Sequence, residues 1–140
     1  MAKQPINVTA STLTLDRDVH SDAAVTVNRA AGTTVTLPAS TGKGDVYTLY
    51  VGTTITSNSF IVQVANASDI IQGVVHLTTD IAGTSMPTAS TTDTITMNGS
   101  TTGGVKGSWV RLTDVATNNW LLEGGLVCTG TEATPFSAAV

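Results

Sequence analysis

The feature that most limits this chain is how seldom any pattern runs on. Apolar and polar residues alternate in short runs, and Gly, Pro, Asn, Asp or Ser closes a run roughly every 10 to 12 residues. A period of two puts successive side chains on opposite faces of a strand, so each run reads as a strand with one face on a core. Leu13 and Leu15 form the first such run, ended by Asp16, Arg17 and Asp18. Val25 with Val27, then Val35 with Leu37, read as a hairpin across the loop 28–32, with Gly32 supplying a positive φ. The run Val46–Val51 predicts a central strand, and Ile55 and 60–64 continue the pattern. In the next strand Ile71, Val75 and Leu77 share one face while Val74 and His76 take the other. Residues 78–93, with Pro87 and many small polar side chains, predict a long connection that has room for one helical turn. Ile95 with Met97, then 105–112, 120–123 and 126–128, complete the set, separated by turns at 98–104, 113–119 and 124–125.

Nine or ten short strands in one chain of 140 residues are too many for a single open sheet. The expected fold is therefore all-β, one β-sandwich or jelly roll, or a closed barrel. Composition agrees. Threonine supplies 27 residues and glycine 13, whereas Asp, Glu, Lys and Arg make up 11%, against about 25% in an ordinary domain. Branched Cβ atoms suit pleated strands. Two Glu and three Lys are too few for a helical bundle, and a 41% apolar share with a net charge of -4 is not that of a disordered chain. The whole chain, 1–140, reads as one domain with an extended N-terminal arm (1–8) and a C-terminal tail (130–140).

Charge and cysteine usage narrow the function. Six basic residues scattered from Lys3 to Arg111 make no phosphate-binding face, so no nucleic acid partner is expected. No run approaches the roughly 18 apolar residues of a membrane helix, and residues 1–10 lack a signal-peptide core, so synthesis in a cytoplasm and no membrane partner are expected. Cys128 is single and reads as a small buried hydrophobe. No site for catalysis, cofactor or metal is expected. His20 lies in an acidic turn and His76 on a strand, with nothing pairing them to a nucleophile. Asp16, Asp18 and Asp22 lack the spacing and Gly of a calcium loop, and Thr41-Gly42-Lys43-Gly44 lacks the Ser or Thr that a phosphate loop needs after its Lys. The sequons at Asn7, Asn66 and Asn98 are what chance gives in a chain so rich in Ser and Thr. With carboxylates few and none argued to be buried, the expected response to acid is mild. Trp109 and Trp120 read as core or interface residues, or as platforms on which a sugar ring stacks.

The stretches TVNRAAGTTVTLPASTGKGDVYTLYVGTTITSNSFIVQVAN and DTITMNGSTTGGVKGSWVRLTDVATNNWLLEGGLVCTGTEATPFS resemble a sequence type recurrent among small β-rich structural proteins of tailed bacteriophages, many of them capsid decoration, or cement, proteins. The resemblance spans about 25–137 and rests on strands and turn residues. It implies a non-enzymatic virion component on the outer surface of the head, bridging subunits of the major capsid protein, and a homo-oligomer, a trimer in preference to a dimer. The other role it leaves open is a tail-fibre, baseplate or receptor-binding β module touching a host glycan. Ile6 and Val8 in the arm, Pro135 and Phe136 in the tail, and both tryptophans are the expected interface residues.

Overall fold

The computed structural model describes residues 3–140. In chain order the elements are β1 (Ile6–Val8), β2 (Thr12–Thr14), α1 (Arg17–His20), β3 (Ala24–Val27), β4 (Thr34–Thr36), β5 (Val46–Val51), β6 (Phe60–Gln63), β7 (Ile70–Thr78), β8 (Gly83–Pro87), β9 (Thr94–Met97), β10 (Trp109–Ala116), β11 (Asn119–Val127) and β12 (Phe136–Ser137). They form a seven-stranded sheet, β1-β3-β5-β10-β11-β7-β8, and a five-stranded sheet, β12-β9-β6-β4-β2. One apolar cluster draws on both sheets, so the fold is an all-β sandwich. Among the described residues twelve strands take the place of the nine or ten expected.

The first half of the chain is a coil. β1, β3 and β5 go to one sheet and β2, β4 and β6 to the other, each parallel to the strand one turn before. A parallel pair needs a crossover between its strands, and here the strand in the opposite sheet is that crossover. The register stacks like on like. Ile6, Val25 and Leu49 form one row, Val8, Val27 and Val51 the next, and Leu13, Val35 and Val62 answer from the other sheet. The second half closes the sandwich differently. The hairpin β10–β11 is inserted between β5 and β7, antiparallel to β5 on one side and parallel to β7 on the other. These parallel pairs separate the fold from a jelly roll, whose strands pair antiparallel.

In β2 and β4 the threonines take the outside. Thr12, Thr14, Thr34 and Thr36 flank inward-facing Leu13 and Val35 in register, which leaves a hydroxylated outer surface on the five-stranded sheet.

Several sequence expectations change. Val25–Val27 and Val35–Leu37 do not form a hairpin, since β3 and β4 lie in different sheets. Gly32 does adopt a positive φ of 80°, but it turns the chain across the sandwich, where a Cβ would lie 2.1 Å from the Ser59 carbonyl oxygen. Residues 78–93 hold a strand, β8, and the helical turn sits at Arg17–His20, capped by Asp16. Residues 124–125 are no turn, because β11 runs straight through them. The arm and tail are edge strands: β1 pairs with β3, and β12 with β9. The first two residues of the arm lie outside the described residues.

Replacing Gly32 by Ala forces a Cβ into a left-handed turn and against backbone. We expect a loss of about 2–4 kcal/mol, read as a lowered denaturation midpoint, whereas Gly44→Ala, with open space around it, is expected to lose only about 1 kcal/mol from its own positive φ.

Candidate functional site

The outer face of the seven-stranded sheet carries the most distinctive surface. Alternation in β10 turns Val110 and Leu112 into the core and Trp109, Arg111 and Thr113 outward. The register then lines up one row across the sheet: Thr26, Tyr50, Trp109, Gly125, His76 and Ser85. Trp109 lies beside a bare position. A Cβ at Gly125 would sit 2.9 Å from its Nε1 and 3.6 Å from Cε2, so the absence of that carbon lets the indole come down close to the strand. Tyr50, its other cross-strand partner, is 40% exposed. His76 Nδ1 and Ser85 Oγ are 2.7 Å apart at the end of the row.

The neighbouring row is polar at its centre. Arg111 and Glu123 pair across β10 and β11, with Nη2 and Oε1 2.6 Å apart, an exposed bridge contributing at most about 1 kcal/mol. Between β3, β5 and β10 lies a shallow groove of about 280 Å³ bordered by Asp22, Ala24, Val46, Thr48, Tyr50 and Arg111. Val74 and Leu121 add exposed apolar surface, 43% and 46%.

The two tryptophans part company. Trp120 is 1% exposed and meets Tyr47 edge to face at 5.8 Å between ring centroids. It is a core residue and presents nothing to a partner, so of the two only Trp109, itself half-buried, reaches the surface. Tyr47 is pushed up to about 12 by burial, with Asp45, Asp16 and Asp114 adding to the rise, so it stays neutral. Of the other expected interface residues, Val8 and Pro135 are buried, and Ile6 and Phe136 are half-buried and packed on the core. They anchor the chain ends to the body. Asp93 holds the tail further, accepting from the Ala139 N–H at 2.8 Å.

His20, in α1, is buried, its Nδ1 accepting from the Asp16 N–H at 2.8 Å, while His76 is exposed on β7 beside Ser85, so the two have different neighbours. Burial raises the Cys128 thiol, opposed by a backbone hydrogen bond from Gly103, which leaves it a poor nucleophile. Among the described residues no three His, Cys, Asp or Glu stand together as a metal site, and no helix is long and apolar enough to cross a membrane.

The loop that resembled a phosphate site has a different use. Asp114 is buried, and its carboxylate accepts from the N–H groups of Thr41, Gly42 and Lys43 at 2.7–3.3 Å. The amides that would cradle a phosphate already hold a carboxylate of the chain. Burial alone raises this group, but these hydrogen bonds and that of the Thr41 hydroxyl outweigh it and hold Asp114 below its ordinary 3.8. Asp69 and Asp93 are buried as well, so the expectation that no carboxylate is buried is corrected. The sequence hid them because each sits at a strand end, where Asp reads as a turn.

No motif in the sequence marks Tyr50 or Asp114, and Gly125 reads there as half of a turn. For Gly125 a signal existed. Trp120, Leu122, Gly124 and Leu126 keep an unbroken period of two, which marks one strand and not a turn. Comparisons with protein-family profiles, with curated proteins and with solved structures return no match.

Two measurements check this description. Asp114→Asn is expected to cost about 2–3 kcal/mol at neutral pH, because charge-assisted hydrogen bonds are lost from a buried site. A depressed folded value means that the stability from ionised Asp114 is complete above the ordinary value. It drains away as pH falls through the folded value, so the gap between parent and variant should close in acid denaturation below about pH 4. Trp120→Ala should cost roughly 3–5 kcal/mol and Trp109→Ala about 1 kcal/mol or less. A large loss at Trp109 would place it in the core.

Proposed function

We propose that this chain is a bacteriophage capsid decoration protein, a cement that binds the outside of the head and bridges neighbouring subunits of the major capsid protein. The observation that carries the reading is the hairpin β7–β8. The five-stranded sheet does not cover β8, where Met86 alone is half-buried and both faces of the strand are otherwise exposed. The turn beyond it is ordered by the Thr79 N–H to Ala82 carbonyl bond of 2.8 Å and by the Ala82 N–H to Thr79 Oγ1 bond of 3.1 Å. At its tip stands Ile81, 92% exposed. A tight turn favours Gly, Asn, Asp or Ser, and a branched apolar residue there does nothing for its own fold. Residues that break a local rule without structural gain concentrate at functional sites.

A rigid body supports the same reading. Among the described residues the terminal strands β1 and β12 are paired into sheets and the loop 41–43 is clamped by Asp114, so few segments there open to a protease. The resemblance of 25–137 to phage structural proteins supplies the partner. Ile81 inserts between shell subunits as the apolar anchor, and the protein acts as a homotrimer on the outer surface of the virion.

Purified protein is expected to bind expanded heads that lack it, saturably, and to raise their resistance to heat. Light scattering of the free protein is expected to give three times the 14.3 kDa chain mass. Burying one Ile is worth about 1.5–3 kcal/mol, so Ile81→Asp should weaken head binding by roughly tenfold or more while leaving the melting temperature unchanged. Binding that is indifferent to Ile81→Asp would move the contact off the hairpin, and unaltered protein that ignores expanded heads would overturn the function.

A further inference from the structure

We infer that the outer face of the seven-stranded sheet is a carbohydrate-binding platform, with Trp109 as the stacking surface for a hexose ring of a neutral glycan. This site is separate from the hairpin tip and does not rest on the head-binding reading. Hexose rings present a face of C–H groups that stacks on an aromatic ring, while their hydroxyls need planar or hydroxylic hydrogen-bonding partners at the rim. The sheet supplies both. Trp109 is held low by the bare Gly125 beside it, and exposed Tyr50 follows on the next strand.

Hydrogen-bonding groups surround the pair. Thr48 and Arg111 flank it on the groove side with Asp22 beyond, and His76 with Ser85 ends the row. From Tyr50 to His76 the row crosses three strand spacings, about 14 Å, the reach of a short oligosaccharide. At Tyr50 the row meets the shallow groove bordered by Thr48, Arg111 and Asp22, an open surface that suits a chain passing over it.

Charge selects the class of sugar. Arg111 is the cation of the face, and Glu123 already neutralises it at 2.6 Å. Asp22 adds a negative charge at the groove. With Arg111 paired to Glu123 and Asp22 at the groove, the row itself presents no net positive charge to a sulfated, phosphorylated or sialylated sugar, so a neutral glycan is the occupant.

The test reads Trp109 directly, because Trp120 is sealed in the core. Unaltered full-length protein is titrated with soluble neutral oligosaccharides, namely maltohexaose, cellohexaose, and galactan and mannan hexamers, to millimolar concentration. Tryptophan emission, acrylamide quenching and the indole N–H resonances are followed. At least one sugar is expected to shift the Trp109 resonance and protect it from quencher, with a dissociation constant at or below about 1 mM.

Trp109→Ala should abolish that binding. Gly125→Ala keeps the tryptophan but pushes the ring off its seat, and should weaken binding roughly tenfold. Both variants must retain the parent circular dichroism and mass. No Trp109 response to any of these sugars overturns the proposal. So does a response only to anionic sugars, or binding unchanged in Trp109→Ala. A fall in oligomeric mass in Trp109→Ala makes the face a contact between copies of the chain and overturns it equally.

Discussion

The stacking of Val25 between Ile6 and Leu49, and of Val35 between Leu13 and Val62, is the contact on which the rest of the molecule depends. The first six strands alternate between sheets, so none pairs with its sequence neighbour and every ladder joins residues far apart in the chain. Such a coil holds only if each turn lands in register on the one before. A slip of one residue would turn valines outward and threonines into the core. Branched residues serve here because they lose little freedom in a strand and interdigitate well on a pleated surface. The cost falls on kinetics, since non-local pairing closes long loops before any contact rewards it.

Polar groups finish what the apolar ladders begin. Asp16 caps the one helical turn, Asp93 secures the tail, and Asp114 gathers the loop 41–43. In each case an acidic side chain satisfies backbone amides that strand pairing leaves over. A chain with so few charges thus spends several of its carboxylates on closing its own loops. The acidic composition therefore says less about partners than the raw charge suggests.

The two candidate contact regions differ in kind for the same structural reason. The seven-stranded sheet is larger than the five-stranded one, so its edge hairpin overhangs the sandwich and its outer face stays uncovered. At the hairpin tip a single apolar side chain stands alone, which suits insertion into a crevice. On the face, aromatic and hydroxylated side chains lie side by side in one row, which suits a flat ligand.

Much of the architecture is legible in the sequence. Inward and outward faces of β7 follow from Ile71, Val75 and Leu77 against Val74 and His76, and the interior place of β5 follows from its mostly apolar run. Which strands pair was not legible. Val25–Val27 and Val35–Leu37 look like a hairpin because alternation and a Gly turn are common to a hairpin and to a crossing between sheets, and they differ only in where the chain goes afterwards. Gly124–Gly125 looked like a turn because glycine marks both a bend and a close approach. Trp109 and Trp120 had equal claims as surface rings until parity within their strands set one outward and one inward. The sequence by itself determined that this chain is all-β, built of short strands with one face on a core, because side-chain parity is a local property; sandwich, jelly roll and closed barrel share that parity. Only the tertiary structure decided the coiled parallel topology, the buried carboxylates and the row that joins Tyr50, Trp109 and Gly125, because register between distant strands is settled by packing across the whole core.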